Sequence, residues 1–271
     1  MTPGQHGWQL EGTSAELYER YLVPAVTRPW ARDLVGRVEL HTGDCVLDVA
    51  CGTGVIARLA AAEVGESGRV AAADVNSGML AVGRSLPQPS GAAIEWYEAS
   101  ADALPFGDGE FDVVLCQLGL QFFPDPSAAL REVRRVLVDA GRAGVSVFAA
   151  IEQNPAAYAL SAALDRHLGE GASRAKRSEH ALADSGELRE LFVTAGFTDV
   201  RIETVALTVR FASVDQWVRI QLSATPLAAL QAEGDDIVAR VCAEIGAALA
   251  TYTQADGFAF PQQAHVALSQ P

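Results

Sequence analysis

The stretch Cys45-Val46-Leu47-Asp48-Val49-Ala50-Cys51-Gly52-Thr53-Gly54 decides how this chain is read. Cys45 to Val49 is a short apolar run of the buried-strand kind, and Val55, Ile56, Leu59 and Ala60 behind the glycines follow a helical pattern. A strand that turns through glycines into a helix needs backbone without Cβ atoms, both for the tight turn and for close approach of a ligand. A turn with no ligand would use one glycine rather than a pair behind an acidic strand end. Gly52-x-Gly54-x-x-Ala57 also matches a dinucleotide fingerprint, so the loop by itself leaves the ligand open.

Outward from this loop, short apolar strands alternate with helices. Val70 to Ala73 reads as a second strand, Ile94 to Glu98 as a third, Phe111 to Cys116 as a fourth, and Val145 to Ala149, after Gly141 and Gly144, as a fifth. Before the fifth lies a helix that Asp125 can cap, with Pro126 in its first turn and Leu130, Val133 and Leu137 on one face. This alternation predicts a parallel sheet covered on both sides. Past residue 150 the rhythm changes. A helix is expected from Asn154-Pro155 to about Leu168, and another from Asp184, with Glu187 as its capping-box partner and Gly196 at its end. Val200 to Phe211 alternates as a long strand, and Ser213 to Ala255 is mostly helical with a break at Pro226. Phe258 to Leu268 reads as a final strand in which Pro261 suits a bulge or an edge. No repeat or low-complexity linker divides the chain, so residues 1–271 are expected to form one unit.

Composition narrows the partners. The chain has 271 residues, 49% of them hydrophobic and 20% charged, with a net charge of −14, so a polyanion would be repelled over most of the surface. Arg174, Lys176 and Arg177 form the densest basic cluster, read as a solvated loop, and no nucleic-acid partner is expected. Cys45, Cys51, Cys116 and Cys242 lack metal or disulfide spacing and are read as reduced thiols, with no metal site. Met1 to Leu10 lacks the pattern of a signal peptide, and no apolar stretch reaches membrane-span length. A cytoplasmic protein without a stable membrane anchor is the expectation.

Three carboxylates bear on the ligand. Asp48 precedes the glycines, where a pyrophosphate would be unwelcome and an ammonium favoured. Asp74 ends the second strand, a position from which a carboxylate can accept both hydroxyls of a ribose. Asp102, after the third strand, could accept a hydrogen bond from an adenine amino group. Each alone could be a cap or a solvated turn, but together they mark successive strand C-termini, the edge where open α/β sheets bind ligands.

At this point the chain resembles the class I S-adenosylmethionine-dependent methyltransferases, in the branch that includes ubiquinone and menaquinone biosynthesis enzymes. VLDVACGTG, AAADVNSGML, ASADALPFGDGEFDVVLCQLGLQFFPD and ALREVRRVL carry the resemblance, from about Gly43 to Phe148. It implies a Rossmann-like α/β fold with a seven-stranded sheet, mostly parallel, whose C-terminal strand returns antiparallel beside the fifth. It further implies N-terminal helices over 1–42, a cofactor-binding core over 43–150, and helical cap insertions at 151–183 and 212–256. Gly52 and Gly54 would line the methionine part of S-adenosylmethionine, and Asp48 would help hold its amino group. Asp74 would bind the ribose, Val75 and Met79 would pack on adenine, Ala101 and Asp102 would meet the adenine edge, and the Gln117 backbone would lie beside the methionine moiety. Tyr21, in the leading helices, is a further cofactor contact on this reading.

Cys116-Gln117-Leu118-Gly119-Leu120-Gln121-Phe122-Phe123 lacks the Asn/Asp-Pro-Pro-aromatic pattern that resembles amino methylation of bases or glutamine. Gln121 and Phe122 are expected to line the acceptor pocket. Glu152, His167 and His180 stand near the cap, but none is assigned as a base. The expected activity is O- or C-methylation of a small hydrophobic or aromatic acceptor. Two alternatives stay open: the same fold using bound cofactor for non-methyl chemistry such as cyclisation, and a nicotinamide-dependent oxidoreductase supported by the glycine spacing.

Overall fold

The computed structural model describes residues 13–225, 227 and 235–271; the expected break at Pro226 and the reading of Met1 to Leu10 fall outside them. Helix α1 (Thr13–Leu17) runs into a π-helical segment, Tyr18–Thr27, and then α2 (Arg28–Val38). The core follows as β1 (Cys45–Val49), α3 (Val55–Val64), β2 (Arg69–Asp74), α4 (Ser77–Ser85), β3 (Ile94–Glu98), β4 (Phe111–Gln117), α5 (Pro126–Val136) and β5 (Leu137–Phe148). Helices α6 (Pro155–Leu168), α7 (Arg174–Ser178) and α8 (Ser185–Thr194) precede β6 (Thr198–Phe211). Helices α9 (Val214–Ala224) and α10 (Asp235–Ala248), the two-residue strand β7 (Thr253–Gln254) and β8 (Gly257–Gln270) complete the described chain.

The sheet order is β3-β2-β1-β4-β5-β8-β6. Pairings among β1 to β5 are parallel, and β8 is antiparallel to both β5 and β6. The seven expected strands are all present; β7, pairing with β8, is an eighth. Because the chain leaves β1 in one direction to reach β2 and later returns to β4 on its other side, a crevice opens at the C-terminal ends of β1 and β4.

Alternate strand residues explain why helices cover both faces. Val46, Val70, Val113 and Leu115 pack with Leu34, Ile56, Ala60 and Val64 of α2 and α3. Leu47, Val49, Val114 and Val145 pack with Leu130, Val133, Leu188 and Phe192 of α5 and α8. Asp125 caps α5 by accepting from the Ala128 N–H, and Asp184 caps α8 through the N–H groups of Gly186 and Glu187. Leu137, expected on the helix face, instead opens β5, which begins eight residues before the expected Val145. Helix propensity yields here to parallel pairing with β4, where Phe111 lies opposite Leu137.

A third apolar cluster lies outside the sheet's flat part. Leu22, Val26 and Trp30 meet Leu160 and Leu164 of α6, Trp217 and Val218 of α9, Val241 and Ile245 of α10, and Phe258 and Phe260 of β8. β5 pairs with β8 only over Ala264 to Ser269, whereas β6 follows β8 out to the Phe211–Phe258 pair. The outer half of this ribbon therefore extends beyond β5 and carries α9 at its end. Pro261 stands in that outer half, where β8 has β6 but not β5 beside it, so its missing N–H breaks no bond to β5. Among the described residues no helix is long and apolar enough to cross a membrane.

Candidate active site

A cavity of about 480 Å³ opens at the crevice and continues beneath α6, α7 and α9. This volume lies within the range usual for small-molecule sites. One half is built from strand ends: Gly52, Asp74, Val75, Asn76, Met79, Ala101, Asp102 and Gln117 all line it. Two non-glycine residues at its floor, Ala50 (φ 55°) and Leu118 (φ 51°), hold left-handed backbone where β1 and β4 end. Such backbone costs energy and persists where surrounding structure imposes it, most often at ligand sites.

The loop after β1 is held by β2. The Asp74 carboxylate accepts from the Gly52 N–H at 2.7 Å and from the Asn76 N–H at 2.8 Å. Burial pushes its pKa up, partly offset by those N–H groups. Asn76 caps α4 by accepting from the Met79 N–H at 3.1 Å, while its own Nδ2 has no partner. Gln117 donates through Nε2 to the Thr27 carbonyl at 2.9 Å, tying β4 to the π-helical segment, and its Oε1 is also unpartnered. A free donor and a free acceptor, buried beside a carboxylate at one cavity, are the polar groups that a ligand would satisfy. They fit S-adenosylmethionine, which offers ribose hydroxyls as acceptors and donors and an ammonium as donor.

Four expected site residues stand elsewhere. Asp48 is 1% exposed beneath the loop and accepts from the Ala57 N–H at 3.0 Å. It thus occupies an N–H in the first turn of α3, where a dinucleotide would place its pyrophosphate. Gly54 faces away from the cavity: a Cβ there would lie 2.3 Å from the Trp96 ring, so this glycine serves packing against β3. Tyr21 does not line the cavity and has the Arg20 guanidinium over its ring, whereas Tyr18, three residues earlier, lines the cavity near Gly52. Gln121 turns back to donate to the Leu118 carbonyl at 3.0 Å, while Phe122 and Phe123 line the cavity. Of the residues considered as bases, Glu152 is exposed, His167 pairs with Glu244 at 2.9 Å, and His180 contacts the Ala149 carbonyl at 2.6 Å; none lines the cavity.

Trp96 is also pressed against Gly83, where a Cβ would lie 2.6 Å from its ring and 2.9 Å from the Thr53 carbonyl. Alanine is the better helix former by about 1 kcal/mol, yet the clash should dominate, making Gly83→Ala destabilising by about 1–3 kcal/mol. Urea denaturation checks this, and a gain in stability would show that α4 can move away from the loop.

The other half of the cavity is apolar and aromatic, with Leu22, Val26, Phe148, Trp217 and Phe260 among its walls. Within it stand Lys176, Glu179 and Gln221. Lys176, expected in a solvated loop, is only 6% exposed. Nothing local in the sequence distinguishes Lys176 from its basic neighbours Arg174 and Arg177.

This sheet order, with a cavity at the switch point and acidic residues at the ends of β1 and β2, is that of the Rossmann-like methyltransferase fold. The family model described as the ubiE/COQ5 methyltransferase family matches residues 24–213, and the chain belongs to that family. The ubiquinone/menaquinone biosynthesis C-methyltransferase UbiE of Xanthomonas campestris pv. campestris is 42% identical over 128 residues, 46% of this chain and 51% of that protein. Its counterpart in Stenotrophomonas maltophilia strain R551-3 is 41% identical over the same length, so the chain spans about half the length of the curated relatives it matches. Among solved structures, the YcgJ protein of Bacillus subtilis superposes with a TM-score of 0.60 at 18% identity, covering 89% of this chain and 97% of that one. Phosphoethanolamine N-methyltransferase 2 of Haemonchus contortus, solved with phosphomonomethylethanolamine and S-adenosylhomocysteine, gives 0.54 at 14% identity, covering 96% and 60%. At these identities the structures show the fold. S-adenosylmethionine is the cofactor consistent with this family, and neither the non-methyl nor the nicotinamide alternative draws support from it.

Proposed function

We propose that this protein transfers a methyl group from S-adenosylmethionine to oxygen or carbon of a small hydrophobic or aromatic acceptor. A ring of the quinol type, suggested by the names of the UbiE relatives, is the nearest chemical class. The observation that carries the reading is one continuous cavity with two unlike halves, polar at the strand ends and aromatic under the helices. S-adenosylmethionine, when bound, supplies a methyl group already activated on a sulfonium. Asp74 accepts from the ribose hydroxyls, Asn76 and Gln117 satisfy their free atoms on the cofactor, and Val75, Met79, Ala101 and Asp102 frame the adenine. The chain's own contribution is alignment and exclusion of water, which can account for much of a barrier when the donor is activated.

The residues 151–183 and 212–256 form the acceptor cap in this reading. Phe122, Phe148, Trp217 and Phe260 present flat apolar walls to the acceptor ring. A net charge of −14 disfavours nucleic acid as the acceptor. A cytoplasmic setting suits such a small-molecule enzyme.

Calorimetry tests the cofactor half. S-adenosylhomocysteine should bind and NAD should not. Asp74→Ala should weaken binding by about 1.5–3 kcal/mol through loss of charge-assisted hydrogen bonds. Unchanged affinity in folded Asp74→Ala protein would sink the assignment. Transfer of a labelled methyl group to a hydroquinone tests the acceptor half.

A further inference from the structure

The acceptor half of the cavity contains a charged group that neither the cofactor nor the packing explains. Arg174, Lys176 and Arg177 lie together on α7, but their side chains part company. Arg177 bonds Ser173 Oγ at 2.8 Å and Asp165 at 3.3 Å, whereas Lys176 turns inward. The Lys176 ammonium donates to Glu179 Oε2 at 2.7 Å and to Gln221 Oε1 at 2.8 Å, joining α7 to α9. An ammonium carries three N–H donors, and these bonds use two. Lys176 is the one cationic residue lining the cavity among the described residues, beside Phe148, Trp217 and Phe260.

Burying an ion pair costs several kcal/mol in desolvation, and well-packed apolar residues commonly do the same structural work at least as well. The pair with Glu179 also cancels the net charge, so the site offers a directed donor more than a general attraction for anions. A donor fixed at both sides, set in a wall of aromatic rings, matches an oxygen borne on a flat apolar ring.

We propose that Lys176 is an acceptor-binding residue whose third N–H hydrogen-bonds an oxygen substituent of an aromatic acceptor, with Glu179 and Gln221 fixing the ammonium. This rests on the reading of the aromatic half as the acceptor site. Lys176 then selects ring acceptors that bear a phenolic or enolic oxygen and sets which edge of the ring faces the cofactor half.

The test compares 1-naphthol with naphthalene as probes, by fluorescence titration of the full chain with and without saturating S-adenosylhomocysteine. Wild type should bind 1-naphthol about tenfold more tightly, the scale of a hydrogen bond to a charged donor. Lys176→Met should abolish the preference and leave S-adenosylhomocysteine affinity unchanged. Because that variant strands the Glu179 carboxylate, the double variant Lys176→Met/Glu179→Leu, which removes both buried charges, should behave alike and stay folded. Equal binding of the two probes, no binding of 1-naphthol by wild type, or a preference that survives in either folded variant overturns the proposal. Failure of S-adenosylhomocysteine to bind would overturn the methyltransferase reading instead, and the titration without it would still decide the role of Lys176.

Discussion

A chain ending at Thr253 should have no native fold. The lost segment contains β8, which lies between β5 and β6 and pairs with both. Its removal would leave the inner edges of β5 and β6 without partners and uncover the positions filled by Phe258, Phe260, Val266 and Ala267. Each large apolar side chain there contributes about 1.5–3 kcal/mol by burial, and a domain's whole stability is about 5–15 kcal/mol. All three apolar clusters draw residues from this strand, Val266 in the first, Ala267 in the second and Phe258 and Phe260 in the third, so the damage reaches the sheet and the helices together. Circular dichroism and thermal melting check this. A truncated chain that keeps native dichroism and a cooperative transition would mean that β6 can close directly on β5.

The second large effect is expected at Asp48. Burial is the main cause that pushes its carboxyl from 3.8 up to about 8, opposed by the Ala57 N–H it accepts from and raised further by Asp74 nearby. An acid whose pKa is higher in the folded state than in the unfolded state binds its proton more tightly when folded. Stability therefore falls as pH rises from about 4 to about 8, and the full penalty, several kcal/mol, is present above that window. Asp48→Asn keeps an oxygen for the Ala57 N–H and carries no charge. It should raise the melting temperature markedly at pH 9 and hardly at pH 4. Equal effects at the two pH values would show that the carboxyl is not held in its protonated form by the fold.

The strands around the glycine loop were legible because the parallel core needs continuous apolar runs, and Val46, Leu47, Val113 and Val114 supply them without ambiguity. Caps were legible for the same local reason: Asp125 and Asp184 bond N–H groups two or three residues away. The start of β5 was not, because Leu137 continues the spacing of Leu130 and Val133 and only pairing with β4 draws it into the sheet. At the site, Asp74, Asn76 and Gln117 stand at strand ends or within a helical cap, where sequence position and spatial position nearly coincide. Tyr21 and Tyr18 lie on a π-helical segment whose wider turn displaces the face that an ordinary helical reading assigns. Lys176 reads as solvated in the sequence because its buried environment is made by α9, more than forty residues later, through Gln221.

The unequal pairing along β8 separates the inheritance of two properties. Residues 264–269 weld the strand to the parallel sheet, while residues 258–262 and their β6 partners stand clear of β5 and bear α9 at the end of the ribbon. Lengthening, shortening or exchanging that segment leaves the registers among β1 to β5 untouched. The two parts of the chain can thus diverge at different rates: the helical segment carried on the projecting ribbon can be rewritten while the parallel sheet is carried along unaltered.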